Sequence, residues 1–180
     1  MRIIAGKFKR RVIHTVRGEA VRPTTERVRQ ALFDTLAVRI NFEDIEVLDL
    51  FAGSGILGIE ALSRGAARCT FVEQNRKVIQ MLAQSLKFLQ LEEQTQLVQT
   101  DALRFLEWTT AQYDLIFADP PYKFEHHHEL LDKIFSRNLL AGYLAMAHHK
   151  REDFSAHAEF LFCKEFGATV VSFFSQSKQT

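Results

Sequence analysis

Apolar and polar positions follow two rhythms along this 180-residue chain. Apolar runs predict strands at residues 45–51, 68–73, 96–99, 113–118 and 143–147. Between them, helices are predicted at 56–64, at 78–89 (Val78, Leu82, Leu86 and Leu89 at near-helical spacing), at 102–108 and around 130–135. Ahead of this alternation, Ile3, Ile4, Phe8, Val12 and Ile13, with Gly6-Lys7 near a turn, predict a β-hairpin over residues 2–16. Thr24 or Thr25 can then cap a helix that buries Val28, Ala31, Leu32 and Leu36, and residues 41–46 lead into the first sheet strand. Two last strands, 160–163 and 169–174, flank Gly167. Strands alternating with helices predict an α/β architecture: a mostly parallel sheet, helices on both faces, and an antiparallel strand from the final hairpin. With no repeat or second domain evident, residues 1–180 are expected to form one domain. Residues 1–40 would be a hairpin-and-helix extension and 41–180 the core.

Composition changes this picture little. The chain is 47% hydrophobic and 25% charged, ordinary for a globular protein of a length that can bury a core. Most of its 16 Phe residues are needed for that core, so aromatic content alone does not argue for base stacking. No apolar run approaches a membrane span and no signal-peptide segment opens the chain, so a cytoplasmic location without a membrane partner is expected. Cys69 and Cys163 fit no metal spacing and are expected to be buried, reduced thiols.

Charge distribution matters more. Net charge is only +1, but residues 1–30 hold nine Lys or Arg against Glu19 and Glu26, leaving +7 there and −6 elsewhere. Such asymmetry points to a polyanion at the N-terminal segment, with a solvated basic arm as the other reading.

The candidate chemistry begins at Asp49-Leu50-Phe51-Ala52-Gly53-Ser54-Gly55-Ile56-Leu57-Gly58. An apolar run, an acid, glycines and an amphipathic segment are the layout of strand, turn and helix start in a Rossmann-like sheet. Glycine permits the turn and a close ligand approach, and the helix start offers free N–H groups. The spacing G-x-G-x-x-G, with Glu73 20 residues past Gly53, also fits a dinucleotide fingerprint. Asp49 argues against that ligand: its charge is a poor neighbour for pyrophosphate and a good one for an ammonium group. Asp119-Pro120-Pro121-Tyr122, further on, has no evident use in hydride transfer. Four acids, Asp49, Glu73, Asp101 and Asp119, fall at or just past predicted strand ends, where ligands gather in parallel sheets.

Together, D-x-F-A-G-S-G and D-P-P-Y resemble the class I S-adenosylmethionine (SAM) methyltransferases that modify exocyclic amino groups. The resemblance implies a Rossmann-like class I methyltransferase fold with SAM as cofactor. Asp49, Phe51 and the Gly53/Gly55 turn would then hold the methionine end, and Glu73 the ribose hydroxyls. Asp101 would bond the adenine amine, with Ala102 adding a backbone contact; alternatively, Asp101 simply caps the following helix. Asp119 would border both cofactor and substrate.

The two prolines fix the backbone and leave carbonyls free to face a substrate. A base amino group is a poor nucleophile because its lone pair is delocalised. Asp119 and the Pro120 carbonyl can accept its two hydrogens and orient the nitrogen, and the carboxylate can offset positive charge or take the proton. Tyr122, beside Pro121, offers a stacking face. The full pattern resembles a narrower family, the bacterial small-subunit (16S) rRNA guanine-N2 methyltransferases. The match covers residues 1–9, 22–33, the glycine turn, 60–66, 119–122 and 166–169. It implies methylation of one guanine N2 in 16S rRNA within the small ribosomal subunit or an assembly intermediate, with no obligate protein partner. The basic residues Lys7, Lys9, Arg10, Arg11, Arg22 and Arg27 would contact RNA, and the segment with Thr24 and Thr25 would help close the site.

After Tyr122 the match weakens. Where that family often carries an acid following strand five, this chain reads Ala147-His148-His149-Lys150. His126-His127-His128 lacks partner acids and adjacent side chains diverge, so it reads as a solvated loop or helix start and no metal is expected. The competing functions are an adenine-N6 or protein-glutamine methyltransferase, an NAD oxidoreductase, and a silent RNA-binding assembly factor.

Overall fold

The computed structural model describes residues 1–13 and 25–176. The apolar runs become one sheet: β1 (Glu46–Leu50), β2 (Arg68–Val72), β3 (Thr95–Val98), β4 (Tyr113–Ala118), β5 (Leu140–His149), β6 (Phe160–Phe166) and β7 (Thr169–Ser175). Five helices accompany them: α1 (Glu26–Ala37), α2 (Ile56–Ser63), α3 (Arg76–Leu89), α4 (Ala102–Trp108) and α5 (His127–Ser136). Strand order is β3-β2-β1-β4-β5-β7-β6, parallel through β5, with β7 antiparallel to both neighbours. The order reverses between β1 and β4, where such sheets open a ligand crevice beyond the carboxyl ends of the strands.

Burial follows from that topology. Val47, Leu48 and Leu50 of β1 are fully buried because helices cover both faces of the sheet. One face packs Ile3, Phe8 and Ile13 with α1, α2 and α3; the other packs α4, α5 and Phe154. Register aligns the strand ends: Leu50 lies opposite both Val72 and Ala118, and Ala118 opposite Met146. Glu73 and Asp119 therefore emerge at one edge with the turn that follows β1.

The N-terminal hairpin forms: Arg2 and Val12 make an antiparallel bridge, Ile3 N–H donates to the Arg11 carbonyl at 3.0 Å and Ile13 N–H to the Met1 carbonyl at 2.8 Å, while residues 14–16 lie outside the described residues. Its turn is anchored on α2. The N–H groups of Ile4 and Ala5 donate to the buried Glu60 carboxylate at 2.7 and 3.0 Å, Lys7 N–H donates to the Ser63 carbonyl and Phe8 N–H to the Ser63 hydroxyl. Two expectations are corrected. Strand five is longer than its apolar run. It begins at Leu140 and ends at His149, pairing with β7 as far as His149 opposite Thr169. Gly142 within it lets the Asp114 carbonyl approach to where a Cβ would be 2.3 Å away. Cys69 is buried as expected, but Cys163 is exposed because β6 is the sheet edge.

The first helix also hides a surprise. Thr25 caps it, accepting from Val28 N–H, and Leu32 and Leu36 are buried. Arg29, counted above with the basic segment, is buried as well: its guanidinium donates to the Arg2 carbonyl at 2.7 Å and contacts Met1 Sδ. Among the described residues, no helix is long and apolar enough to cross a membrane.

Candidate active site

Asp49 is the one polar residue in the buried stretch of β1, and its exposure is 2%. Its Oδ2 accepts the Gly58 N–H at 3.0 Å, satisfying a donor in the first turn of α2 that has no partner within the helix. The chain between them must turn sharply. Phe51 adopts a left-handed backbone (φ 59°), and so does Gly55 (φ 74°), the N-cap of α2. A Cβ on Gly55 would lie 2.4 Å from a methyl of Leu82, so that position needs glycine both for angle and for space. The Gly53 N–H donates to Glu73 at 3.0 Å, and the other Glu73 oxygen accepts Asn75 N–H at 2.7 Å. The turn is thus tied to the end of β2.

Electrostatics give this corner its character. Burial above all pushes the Asp49 carboxyl well above the usual carboxylate range, and the Asp119 and Glu73 carboxylates push it further against the Gly58 N–H. Acids from the ends of β1, β2 and β4 are therefore mutually repulsive in a low-dielectric crevice. A ligand bringing positive charge relieves that repulsion. A pyrophosphate adds to it.

SAM fits this donor set: its ammonium and sulfonium are cationic, and its ribose hydroxyls and adenine amine are hydrogen-bond donors. Asp101, the remaining acid, caps α4 by accepting Arg104 N–H at 3.1 Å, with Ala102 buried beside it. The capping alternative is thus realised.

Asp119, half-buried, leaves β4 beside the turn after β1. Phe124 N–H donates to the Pro121 carbonyl at 2.8 Å, closing the Pro-Pro-Tyr segment into a compact turn. Phe124 is held edge-on between Phe51 and His127, each ring 5.0 Å away. Tyr122 is left 75% exposed, its ring perpendicular to that of His149 at 5.4 Å. The candidate cofactor turn and the candidate substrate turn are joined by aromatic packing.

Phe124, His127 and His149 carry this arrangement and were not among the predicted site residues. The three consecutive histidines do diverge: His126 is exposed, His128 packs on Phe154, and His127 is buried, so the solvated reading fails for the middle one. Burial of His127 pushes its imidazole down to about 4, with His128 adding to the effect. Its Nδ1 lies 2.7 Å from Glu152 but out of line for a hydrogen bond. Next to it, His148 Nδ1–H donates to the His149 carbonyl, so its Nε2 accepts the Ser172 hydroxyl at 2.7 Å in the neutral ring. An interruption of polar residues before an apolar helix was the available signal, and it does not reveal burial.

Of the residues expected to meet RNA, Lys7, Lys9, Arg10, Arg11, Arg27, Pro121 and Tyr122 are exposed, while Thr25 is engaged as a helix cap. Arg22 and Thr24 lie outside the described residues. The basic turn is connected to the glycine turn through Met1, whose sulfur is contacted by Arg29 and by the Ser54 hydroxyl.

A sheet reversed at β1/β4, an antiparallel β7 and an acid-lined glycine turn define a class I methyltransferase. The chain belongs to the family described as conserved hypothetical protein 95, whose model matches residues 1–175. Ribosomal RNA small subunit methyltransferase D of Escherichia coli (strain K12) is 41% identical over 123 residues, covering 68% of this chain and 61% of that protein. YlbH of Bacillus subtilis (strain 168) is 40% identical over 157 residues, 84% of each chain. The solved structure of Escherichia coli yhhF superposes with a TM-score of 0.87 at 31% identity, covering 99% of both chains. The fold class and the family resemblance read from the sequence are both borne out.

Proposed function

We propose that this protein transfers a methyl group from SAM to the exocyclic N2 amine of a guanine in small-subunit rRNA. The observation that carries the reading is the placement of Asp119-Pro120-Pro121-Tyr122 beside the crevice where Asp49 and Glu73 converge. The names of the relatives support rRNA as the substrate class.

Bound SAM supplies an electrophilic methyl group. The chain's own residues do the rest. The Asp119 carboxylate and the Pro120 carbonyl accept the two amine hydrogens, which fixes the nitrogen and turns its lone pair toward the cofactor side. Asp119 also opposes the positive charge that develops on nitrogen. The nitrogen sheds one of its two protons to this carboxylate or to solvent as the methyl arrives, leaving S-adenosylhomocysteine to depart. The exposed face of Tyr122 supports the base, which must be unpaired or flipped out to reach it. Lys7, Lys9, Arg10, Arg11 and Arg27 neutralise phosphates, and this segment reaches the cofactor turn through its attachment to α2. Most of the acceleration comes from proximity and orientation.

The test is transfer from radiolabelled SAM to purified small subunits from cells lacking this protein, followed by nucleoside analysis. Label in N2-methylguanosine is expected. Label in another nucleoside or in protein overturns the substrate, and absence of SAM binding overturns the cofactor.

A further inference from the structure

The end of β5 brings a residue to the site that the candidate chemistry above does not use. Register pairs Ala118 of β4 with Met146 of β5, so the residue after Ala118, Asp119, emerges beside Ala147. His149 follows two positions later, on the same side of the strand as Ala147. A tight turn holds it there: Glu152 N–H donates to the His149 carbonyl at 3.0 Å, and Arg151 N–H donates to His149 Nδ1 at 3.1 Å.

That last bond sets the tautomer. A backbone N–H can only donate, so Nδ1 is the acceptor and the neutral imidazole carries its proton on Nε2. The ring stands perpendicular to Tyr122, 5.4 Å away, at the margin of the exposed tyrosine. Among the described residues, no hydrogen bond occupies Nε2.

We propose that His149 is a specificity-determining residue that donates its Nε2–H to O6 of the target guanine. The inference rests on the guanine reading above. Guanine carries an acceptor at O6, and adenine carries an amine donor at that position. With the N2 amine held at Asp119 and the ring on Tyr122, a donor at the rim is met by guanine O6; adenine in the same pose sets its N6 amine against that donor and has no amine to offer Asp119. The ring of His149 also keeps Tyr122 in the orientation that the stacked base needs.

Two substitutions separate the donor from the ring. His149→Phe retains an aromatic ring beside Tyr122 and lacks N–H; His149→Gln lacks the ring and retains a donor. Both are assayed with SAM and small subunits lacking the modification, reading N2-methylguanosine, with SAM affinity measured in parallel. The expected result is a fall in kcat/KM of about tenfold or more for His149→Phe, partial recovery in His149→Gln, and unchanged SAM affinity in both. Wild-type kcat/KM in His149→Phe overturns the donor role, as does a His149→Gln variant no better than His149→Phe. If wild-type protein itself forms no N2-methylguanosine, the guanine reading fails and this inference falls with it.

Discussion

Phe124 meets Phe51 edge-on with ring centroids 5.0 Å apart, joining the turn after β4 to the turn after β1. Phe51 pays for its left-handed backbone at that point, and the aromatic contact is one of the interactions that hold it. Phe124→Ala should destabilise the protein by about 2 kcal/mol, less than truncation of a fully buried aromatic because the ring is only half-buried. Transfer should fall further than stability alone explains, since both turns lose their shared support. Urea unfolding beside a transfer assay at saturating SAM checks this, and an active variant with only a stability loss would uncouple the two turns.

Asp119→Ala should abolish transfer, a loss of about a hundredfold or more, while SAM affinity changes by much less. Equilibrium binding of SAM and single-turnover transfer on the same preparation separate the two effects. Full activity would remove the proposed amine-binding role.

Neutralising Lys9, Arg10 and Arg11, all exposed on the turn anchored to α2, should weaken RNA binding. It should also flatten the plot of log affinity against log salt by up to about 2 units for three lost phosphate contacts on single-stranded RNA. An unchanged slope would take these residues out of the RNA interface.

Acid should destabilise the fold through His127. Burial holds its folded-state value at about 4, against 6.5 for an unperturbed histidine. Between those values the unfolded chain binds the proton more readily, so stability is fully present above about 6.5 and is lost as pH falls toward 4. Denaturant midpoints measured from pH 7.5 to 4.5 should decline more steeply for wild type than for His127→Phe. Equal slopes would show that His127 does not govern this window.

Much of this architecture was legible because its rules are local. Val47, Leu48 and Leu50 announce a strand buried on both faces, and parallel pairing then brings the acids at successive strand ends together. Asp49, Glu73 and Asp119 were found that way. Glu60 was not, since its partners Ile4 and Ala5 lie more than 50 residues away and nothing local marks an acid in an apolar helix as an anchor. His127 and Arg29 escaped for a related reason: both are polar by type, and only packing from distant segments buries them. Hairpin pairing near the N-terminus was legible from alternation, but the anchoring of its turn on α2 was not, because alternation does not say which distant helix will take the turn's donors.

The anchoring of residues 4–8 on Glu60 and Ser63 also has a kinetic meaning. During synthesis these amides leave the exit tunnel before their acceptors, which appear only after some 50 further residues have been added. Until then the segment carries an exposed Ile3 and Phe8 with no surface to meet, and β1 waits longer still for β4 at its open edge. A segment made well before its acceptors is therefore a late part to fold.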